Sequence, residues 1–374
     1  MTTVLHITTV HPRADTRIFI KEAHTMAVSL SCTVILLIAD GLGDVNASNS
    51  EVSIHDIGIL QGGRIGRIMG GTWRTFLGVC RIRPAVVHFH DPELIPLALF
   101  LKLTGCKVVY DVHEDVPRQT ISKEYLPLLI RKPLALAVSA AEWCGAKIFD
   151  AIIPATPKIA ERFPSDKTVT VQNFPVTDEL LSPSPVPYIE RPEHFAYIGV
   201  IAKIRCAAEM VRACDLLTQS FPHAGLDLAG MFDPPELQDE LKETPGWAYV
   251  KCHGQVSRSK VGQILGKVRA GLVLFYPLPN HTDAQPNKMF EYMSAGLPVI
   301  ASDFPFWRRI IDSAGCGLLV DPLNPRAIAE AMCWILDHPA EAEDMGRRGR
   351  RAVELIYNWH SEAEKLLDLY KKLI

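Results

Sequence analysis

Two acidic residues, Asp283 and Glu291, lie eight positions apart around a short helix that is predicted to begin near Asn287. Asn is a favourable N-cap residue, so the backbone N–H groups from Ala284 to Met289 are predicted to face an anion, for which phosphate is the obvious candidate. Glu291 lies one turn further in, where its carboxylate can accept hydrogen bonds from two vicinal hydroxyls of a ribose. This stretch therefore predicts a site for a phosphate and a ribose at the start of a helix.

A second group of ionisable residues follows two predicted strands. His88 and His90 lie at the end of one strand, and Asp111, His113 and Glu114 lie at the end of the next. An acidic residue beside a histidine orients the imidazole and fixes its tautomer. Metal binding by His88, His90 and His113 is one alternative, but no spacing specifies a metal geometry, so no metal is expected. A packed His113 without a chemical role is the other alternative.

The elements that position these residues are short apolar runs separated by helical stretches. The runs of strand type lie at 4–8, 33–38, 86–90, 107–110, 151–153, 195–199, 226–229, 248–252, 271–275, 299–301 and 317–320. This alternation is typical of parallel sheets covered by helices, and it predicts two doubly wound α/β domains. Ligands of such sheets bind outside the carboxyl ends of the strands, which is where both polar groups fall.

A proline-rich stretch separates the two predicted domains. Pro183, Pro185, Pro187 and Pro192 disfavour a helix and favour an extended connector. The predicted organisation is a first domain over 1–178, a connector over 179–192, a second domain over 193–346 and a C-terminal helix over 347–374.

The composition is that of a globular protein. The chain has 374 residues, of which 48% are hydrophobic and 22% charged, and its formal net charge of -3 gives no reason to expect nucleic acid as a partner. Nine cysteines are scattered without a Cys-x-x-Cys pair, so free thiols in a reducing cytosol are expected rather than disulfides or a zinc–thiolate site. No apolar run is long enough to span a membrane, and the first residues lack a signal-peptide pattern. We therefore expect a cytoplasmic protein.

The stretch from Asp283 to Ser302 resembles the paired-acid motif of the retaining glycosyltransferases of family 4, although the first acid of that motif is normally Glu. The resemblance covers essentially the whole chain and implies the GT-B fold. In that fold two Rossmann-like domains face each other across a cleft, with acceptor binding in the first and nucleotide-sugar binding in the second, and a C-terminal helix crosses back. The motif implies that Glu291 holds the nucleotide ribose and that Asp283 contacts the donor sugar.

The loop that follows Gly199 is similar to the family's phosphate-binding loop. The resemblance implies that Gly199 and Arg205 contact the diphosphate, that Lys203 supplies a second positive charge and that Lys288 supplies a third. Solvated loop cations are the alternative for Arg205 and Lys203.

Val200 and Cys206 stand where this loop of the family usually has Arg and Gly. A further segment, with Gly254 and Val256, looks like the strand end whose backbone reads the nucleobase. The chain contains no Asp-x-Asp, so a metal-independent reaction is expected, in which cations and helix N-termini alone meet the charge of the leaving group.

In the first domain, the resemblance implies that His113 contacts the donor sugar and the reacting phosphate, with His90 and Glu114 as further substrate-binding residues. Asp15 and Arg17 follow the first strand and are expected to meet the donor phosphate or the acceptor, although an Asp N-cap and a surface Arg explain them equally well. A subset of family 4 from bacterial surface-polysaccharide pathways has the same polar first loop. The resemblance therefore implies a role in surface polysaccharide synthesis.

A basic segment between Asp56 and Asp91 contains no acidic residue. Its arginines are Arg64, Arg67, Arg74, Arg81 and Arg83. Its apolar residues repeat at intervals of three and four, which predicts an amphipathic helix with Ile65, Ile68, Met69, Trp73, Phe76, Leu77 and Cys80 on one face. Either that face packs on the sheet, or it docks peripherally on anionic lipid at the inner face of the membrane.

Together these features predict a retaining, metal-independent glycosyltransferase that needs no cofactor. It would move a sugar from a nucleotide diphosphate sugar to a glycan or a lipid-linked saccharide, with His113, Asp283 and Arg205 as the catalytic residues and front-face attack by analogy. The alternatives are a nucleotide-sugar epimerase or a phosphorylase on the same fold, and a catalytically silent relative that binds nucleotide or scaffolds a polysaccharide complex.

Overall fold

The computed structural model describes residues 2–47, 51–62, 64–122 and 126–374, with the backbone alone at 64, 65 and 122. Contacts within the chain divide it into two units, each with its own sheet. The first unit runs to Asn173 and also contains His360–Ile374, and the second unit is Phe174–Trp359. Among the described residues, no helix combines the length and the apolar character that crossing a membrane requires.

The first unit is built on a six-stranded parallel sheet in the order β3-β2-β1-β4-β5-β6. The strands are β1 (Thr2–Ile7), β2 (Cys32–Ile38), β3 (Ser53–Asp56), β4 (Val86–Phe89), β5 (Lys107–Val112) and β6 (Ala151–Pro154). Its helices are a π-helical segment (Thr16–Ala23) that continues into α1 (His24–Ser29), α2 (Arg64–Ile82), a 3-10 turn (Pro92–Leu94) before α3 (Ile95–Leu103), α4 (Val116–Ser122), α5 (Leu128–Ile148), α6 (Pro157–Ala160) and α15 (Trp359–Leu373).

The second unit repeats this architecture, with a parallel sheet in the order β11-β9-β7-β12-β13-β14 and a small β10-β8 pair. The strands are β7 (His194–Ile198), β8 (Ile201–Ala202), β9 (Gly225–Ala229), β10 (Phe232–Asp233), β11 (Val250–Gly254), β12 (Ala270–Val273), β13 (Val299–Ser302) and β14 (Gly317–Val320). The helices are α7 (Ala207–Thr218), α8 (Leu237–Lys242), α9 (Arg258–Leu265), α10 (Pro279–Thr282), α11 (Asn287–Ser294), α12 (Pro305–Ala314), α13 (Pro325–Asp337) and α14 (Pro339–Leu355), with 3-10 turns at Tyr188–Glu190, Lys203–Arg205 and Pro245–Tyr249.

Two doubly wound parallel sheets were predicted, and this prediction is confirmed. The central strands are largely apolar because helices cover both faces of a parallel sheet, although β1 contains His6, β4 contains His88 and β9 contains Asp227. The prediction missed β3, in which only Ile54 is buried, and the two-residue strands β8 and β10. These edges are too short or too polar to give a strand pattern.

The proline-rich stretch differs from a free connector. The division between the units falls after Asn173 rather than after 178, and 179–192 belongs to the second unit. Leu180 and Tyr188 are buried, and the Tyr188 hydroxyl donates to the carbonyl oxygen of Arg269 at 2.7 Å. The prolines do prevent a long helix, but the apolar residues between them fix the segment to the second sheet.

The C-terminal segment is two helices rather than one. α14 already begins at Pro339 and ends at Leu355, and α15 follows. Between them Asn358 donates its side-chain amide to the carbonyl oxygens of Val353 and Glu354, both at 3.1 Å, which satisfies groups that the ending helix leaves without partners. α15 packs within the first unit, as the fold prediction required, and Tyr370 is fully buried there.

Candidate functional site

A glycine turn and two cations form the first candidate site, in the second unit. Gly199 follows β7 with φ 120°, and the Lys288 Nζ of α11 reaches this turn, since a Cβ added to Gly199 would lie 3.3 Å from it. The same Nζ lies 3.7 Å from the centroid of the Tyr197 ring, and the Arg205 guanidinium lies 3.7 Å from that of Phe275. The structure thus brings together three of the predicted phosphate-binding residues, Gly199, Arg205 and Lys288.

The electrostatics of this turn favour an anion. Burial, and then the charge of Arg205, hold the pKa of Lys288 well below its usual range. No ion pair to Lys288 occurs in the described parts of the chain, so its ammonium rests on an aromatic face instead of a carboxylate. A bound anion would relieve the repulsion between the two cations and raise the pKa of the lysine.

Gly230 is a functional position that the sequence analysis missed. It follows β9 with φ 151°, and a Cβ there would lie 2.0 Å from the carbonyl oxygen of Gly199. No side chain fits such an approach, so Gly230 holds the glycine turn in place. Its position directly after a buried strand, Leu226–Ala229 in the predicted sheet, was the available signal.

The start of α11 differs from the prediction. Pro286 occupies the cap position, no side chain caps the helix, and Asn287 is its exposed first residue. Of the amides predicted to face an anion, Ala284 N–H donates to the carbonyl of His281 and Met289 N–H donates to that of Pro286. The N-cap role of Asn287 is therefore wrong, because the extended backbone of the preceding proline already ends the loop.

Glu291 is tied to an arginine that the sequence analysis missed. Arg258 Nη1 donates to Glu291 Oε1 at 2.7 Å, and its Nε and Nη2 bind both oxygens of Glu179 at 2.7 and 2.8 Å. The two carboxylates hold the pKa of Arg258 above its usual value despite the burial of the guanidinium. Arg258 begins α9 directly after the N-cap Ser257, just beyond β11, and this position at a strand end was the signal that could have identified it.

The other predicted residues of this unit lie on its surface or act through their backbone. Lys203 and Asp283 are exposed, Lys203 in a 3-10 turn and Asp283 at the end of α10. Gly254 has φ 66°, and its carbonyl accepts the N–H of Gly230 at 2.8 Å, so it connects to the glycine turn. Val256 is half-buried and packs against the core beside α11.

A network around Asp111 forms the second candidate site, in the first unit. Asp111 is fully buried at the end of β5, and its Oδ2 lies 2.6 Å from His113 Nε2 and 2.9 Å from His90 Nδ1. Arg17 binds the same carboxylate through Nε at 3.0 Å and Nη2 at 2.7 Å. Burial alone would raise the pKa of Asp111, but Arg17 and His113 hold it well below its usual value.

His113 is the member of this network that reaches the surface. Its side chain is 16% exposed, and its ring lies 5.0 Å from that of His11. The predicted contact of His90 with substrate is corrected, because His90 is 3% exposed and lies behind His113, with its Nδ1 3.1 Å from His113 Nε2. His90 therefore acts on any ligand only through its neighbours.

Asp15 is the helix cap that the alternative explanation predicted, whereas Arg17 is buried and is therefore neither a ligand contact nor the surface arginine of that alternative. The guanidinium of Arg17 is buried, and besides Asp111 it binds the carbonyl oxygen of Val171 at 2.7 Å. Asp15 caps the π-helical segment by accepting the N–H groups of Arg17 and Ile18 at 2.9 Å. A direct contact of Arg17 with phosphate is thus wrong, because the buried carboxylate holds the guanidinium inside the unit. Glu114 is exposed and accepts a hydrogen bond from Gln119.

Asp91 and His11 were missed and belong to the same edge of the sheet. Asp91 is fully buried just after β4 and accepts hydrogen bonds from the backbone of Thr9 and the hydroxyl of Thr8. Its Oδ1 lies 3.1 Å from His11 Nδ1. Burial lowers the pKa of His11, but the bond to Asp91 outweighs it and raises this pKa. Both residues follow neighbouring strands, and that placement was the available signal.

Comparison with known proteins finds a family match that lies within the second unit. Residues 185–352 match the family model of glycosyl transferases group 1. Spore coat protein SA of Bacillus subtilis is 33% identical over 84 residues, which are 22% of each chain. The D-inositol 3-phosphate glycosyltransferase of Kineococcus radiotolerans is 25% identical over 200 residues, 49% of this chain and 45% of the relative. The chain thus matches from about a fifth to a half of the length of these relatives.

Solved structures match the whole chain. A sucrose-phosphate synthase from Thermosynechococcus elongatus has a TM-score of 0.76 at 16% identity, over 100% of this chain and 99% of that one. WaaG, a glycosyltransferase involved in lipopolysaccharide biosynthesis, has a TM-score of 0.73 at 15% identity, over 98% and 99% of the two chains. Anabaena HepE in complex with UDP has a TM-score of 0.70 at 10% identity over both full chains. The chain therefore has the GT-B fold, and its second unit matches the glycosyl transferases group 1 family.

Proposed function

We propose that this protein is a glycosyltransferase that moves a sugar from a nucleotide diphosphate sugar to a hydroxyl group of a glycan or a lipid-linked saccharide. The observation that carries the proposal is the pair of cations at the Gly199 turn. Lys288 and Arg205 converge there on aromatic faces, and both lie in the part of the chain that matches the glycosyl transferases group 1 family. HepE, which has the same fold, binds UDP and UDP-glucose.

The proposed reaction requires stabilisation of the departing diphosphate. As the bond between the sugar and the phosphate breaks, negative charge develops on the diphosphate, and preorganised cations at that point lower the barrier. Lys288 and Arg205 supply this charge without a metal ion in the proposed reaction. The retaining outcome, front-face attack and a role in surface polysaccharide synthesis rest on the resemblance to family 4.

Glu291 is proposed to bind the ribose with the oxygen that Arg258 leaves available. Arg258 holds Oε1, and Oε2 forms no hydrogen bond with the described residues. The side chain is 16% exposed, so a ligand hydroxyl can reach it. Arg258 and Glu179 then fix the direction of the carboxylate rather than compete with the sugar.

His113 is proposed to contact the donor sugar, as the resemblance to family 4 implies. Its Nε2 is bound to the buried Asp111 carboxylate, so the ring is held in one orientation and presents its other nitrogen outward. Asp283 remains a proposed contact of the donor sugar.

Calorimetric titration with UDP and GDP, with a chelator present, tests the donor site. We expect micromolar binding of one nucleotide and a loss of about 1.5 to 3 kcal/mol, the worth of a hydrogen bond to a charged group, in Lys288→Met and in Glu291→Ala. Lys267→Met is the matched control, because Lys267 is an exposed lysine of the same unit with no assigned role at the site, and it should bind nearly as the wild type does.

Three results would contradict parts of this proposal. Equal binding by Lys288→Met and the wild type would remove the phosphate assignment. Absence of binding by either nucleotide would favour the catalytically silent relative. Release of free nucleotide without an acceptor would favour a nucleotide-sugar epimerase, and dependence of turnover on inorganic phosphate would favour a phosphorylase.

We further propose that α2 docks on the inner face of the membrane. Its residues Ile68, Met69, Trp73 and Leu77 are exposed, whereas the small residues Gly71, Thr75 and Val79 face the sheet. Most of the apolar stripe predicted from the sequence is therefore on the outside, although Phe76 is half-buried and packs against the core. The exposed Arg67, Arg81 and Arg83 accompany the stripe. The side chains of Arg64 and Ile65, which the prediction included, lie outside the described residues.

A further inference from the structure

Two imidazoles and a carboxylate converge in the interior of the first unit. His6 belongs to β1, His88 to the neighbouring strand β4 and Glu22 to the π-helical segment, and all three are fully buried. His6 Nε2, His88 Nε2 and Glu22 Oε2 accept or donate no hydrogen bond within the described ranges of the chain, whereas Glu22 Oε1 forms an ion pair with Arg17. Buried polar atoms normally have a hydrogen-bond partner, so several atoms without one in the same place require an explanation.

The other nitrogen of each ring is already held. His6 Nδ1 lies 3.0 Å from His90 Nε2, and His88 Nδ1 lies 2.9 Å from the hydroxyl of Tyr370. Histidines that bind metals show this arrangement, in which a second partner fixes the tautomer and points the free nitrogen at the ion. The hydrogen bonds therefore leave the Nε2 atom of each ring available for a further ligand.

The distances suit a small divalent cation. His88 Nε2 lies 3.8 Å from Glu22 Oε2, and the ligand atoms of the group lie within 4.8 Å of one another. A tetrahedral zinc ion with bonds of about 2.0 to 2.2 Å separates its ligand atoms by roughly 3.4 Å. The distance of 3.8 Å between His88 Nε2 and Glu22 Oε2 is close to that separation.

The buried charges around Glu22 also favour a cation at this site. Arg17 Nε lies 3.1 Å from Glu22 Oε1, and the same guanidinium binds Asp111 at 2.7 Å. One arginine is therefore shared by two buried carboxylates, and a buried charge without compensation is costly. A divalent cation between Glu22 and the two imidazoles supplies the missing positive charge.

We propose that His6, His88 and Glu22 bind a zinc ion in the core of the first unit. Imidazole nitrogen and carboxylate oxygen are ordinary zinc ligands, and ligands this deeply buried bind the metal as the protein folds. The ion ties the two central strands to the π-helical segment, and through the hydrogen bond from His88 to Tyr370 it also supports α15. The site is separate from the donor site, and the ligand set differs from the one weighed in the sequence analysis.

Measurement of the zinc content tests this proposal directly. Protein purified without chelator, and protein incubated with ZnCl2 and then desalted, should each contain about one zinc ion per chain by inductively coupled plasma mass spectrometry. Glu22→Gln and His88→Gln, which keep the side chains polar and nearly the same size, should lose that zinc. Glu142→Gln is the matched control: Glu142 is a buried glutamate of the same unit that binds Tyr110 and Arg162, and its replacement should leave the zinc in place.

A wild-type protein that stays substoichiometric in zinc after incubation would overturn the proposal, as would Glu22→Gln with the zinc content of the wild type. If the variants fail to fold, X-ray absorption at the zinc edge of the wild type decides instead. Two imidazoles with oxygen ligands are expected there, and sulfur ligands would place the ion elsewhere. None of these measurements depends on sugar transfer, so they test the zinc site independently of the proposed function.

Discussion

The hydrogen bond between His11 and Asp91 makes stability depend on pH at the level of single residues. The pKa of His11 is raised in the folded protein, so its contribution is fully present below about pH 6.5, the unfolded value, and is lost as the pH rises through the folded pKa. We expect His11→Gln to lower the free energy of unfolding by about 0.5 to 1.5 kcal/mol at about pH 5.5 and by less at about pH 8.5.

Urea unfolding of the first unit at the two pH values checks this. His360→Gln is the control, because His360 lies in the same unit with its side chain 85% exposed and should have little effect at either pH. An effect of His11→Gln that is larger at the higher pH would contradict the assignment of the Asp91 bond.

Single residues also show which contacts could not be predicted from the sequence. Arg17 was predicted to contact a ligand because it is a polar residue after a strand, and the pattern contains no sign that Asp111, far along the chain, takes it into the interior. Arg258 and His6 were missed for the same reason, since their partners are distant in sequence. The types of residues at strand ends were predictable, whereas their pairing depends on which strands become neighbours.

At the level of the elements, α2 shows why periodicity can select the wrong face. Its apolar stripe was expected either to pack on the sheet or to meet lipid. The face that packs closely on the sheet consists instead of small residues. A Cβ added to Gly71 would lie 2.9 Å from Leu60 Cδ1, and one added to Gly78 would lie 3.0 Å from Leu37. The strands were predicted well because buried parallel strands are largely apolar, and the sequence could not tell which helix face approaches them.

The exposed stripe of α2 predicts binding to anionic vesicles. Replacing Trp73 and Leu77 together by Ser removes two large apolar side chains, each of which is worth about 1.5 to 3 kcal/mol when buried, so we expect at least a tenfold loss of binding to phosphatidylglycerol vesicles in co-sedimentation. Leu355→Ser, at a comparably exposed position of the second unit, is the control and should bind as the wild type does. Equal binding to neutral phosphatidylcholine vesicles, or no effect of the double change, would contradict the proposal.

At the scale of the whole molecule, the first unit is assembled from two distant parts of the chain. Residues up to Asn173 form its sheet, and His360–Ile374 returns after the entire second unit. Leu366 and Tyr370 are fully buried, and Glu362 accepts the backbone N–H of Gln172 at 2.9 Å. The first unit is therefore incomplete until the last helix has been made, whereas the second unit is continuous in sequence.

This connectivity predicts that deletion of 360–374 destabilises one unit and spares the other. Loss of two buried side chains at about 1.5 to 3 kcal/mol each, together with the bond to Gln172, is a large part of the roughly 5 to 15 kcal/mol that stabilises a domain. Limited proteolysis should therefore degrade the first unit and leave a resistant fragment close to Phe174–Trp359. Deletion of only 371–374, which removes the exposed Lys371 and Lys372 and keeps Tyr370, is the control and should leave both units resistant. Degradation of both units at the same rate would mean that the second unit, despite its continuous sequence, needs the first in order to fold.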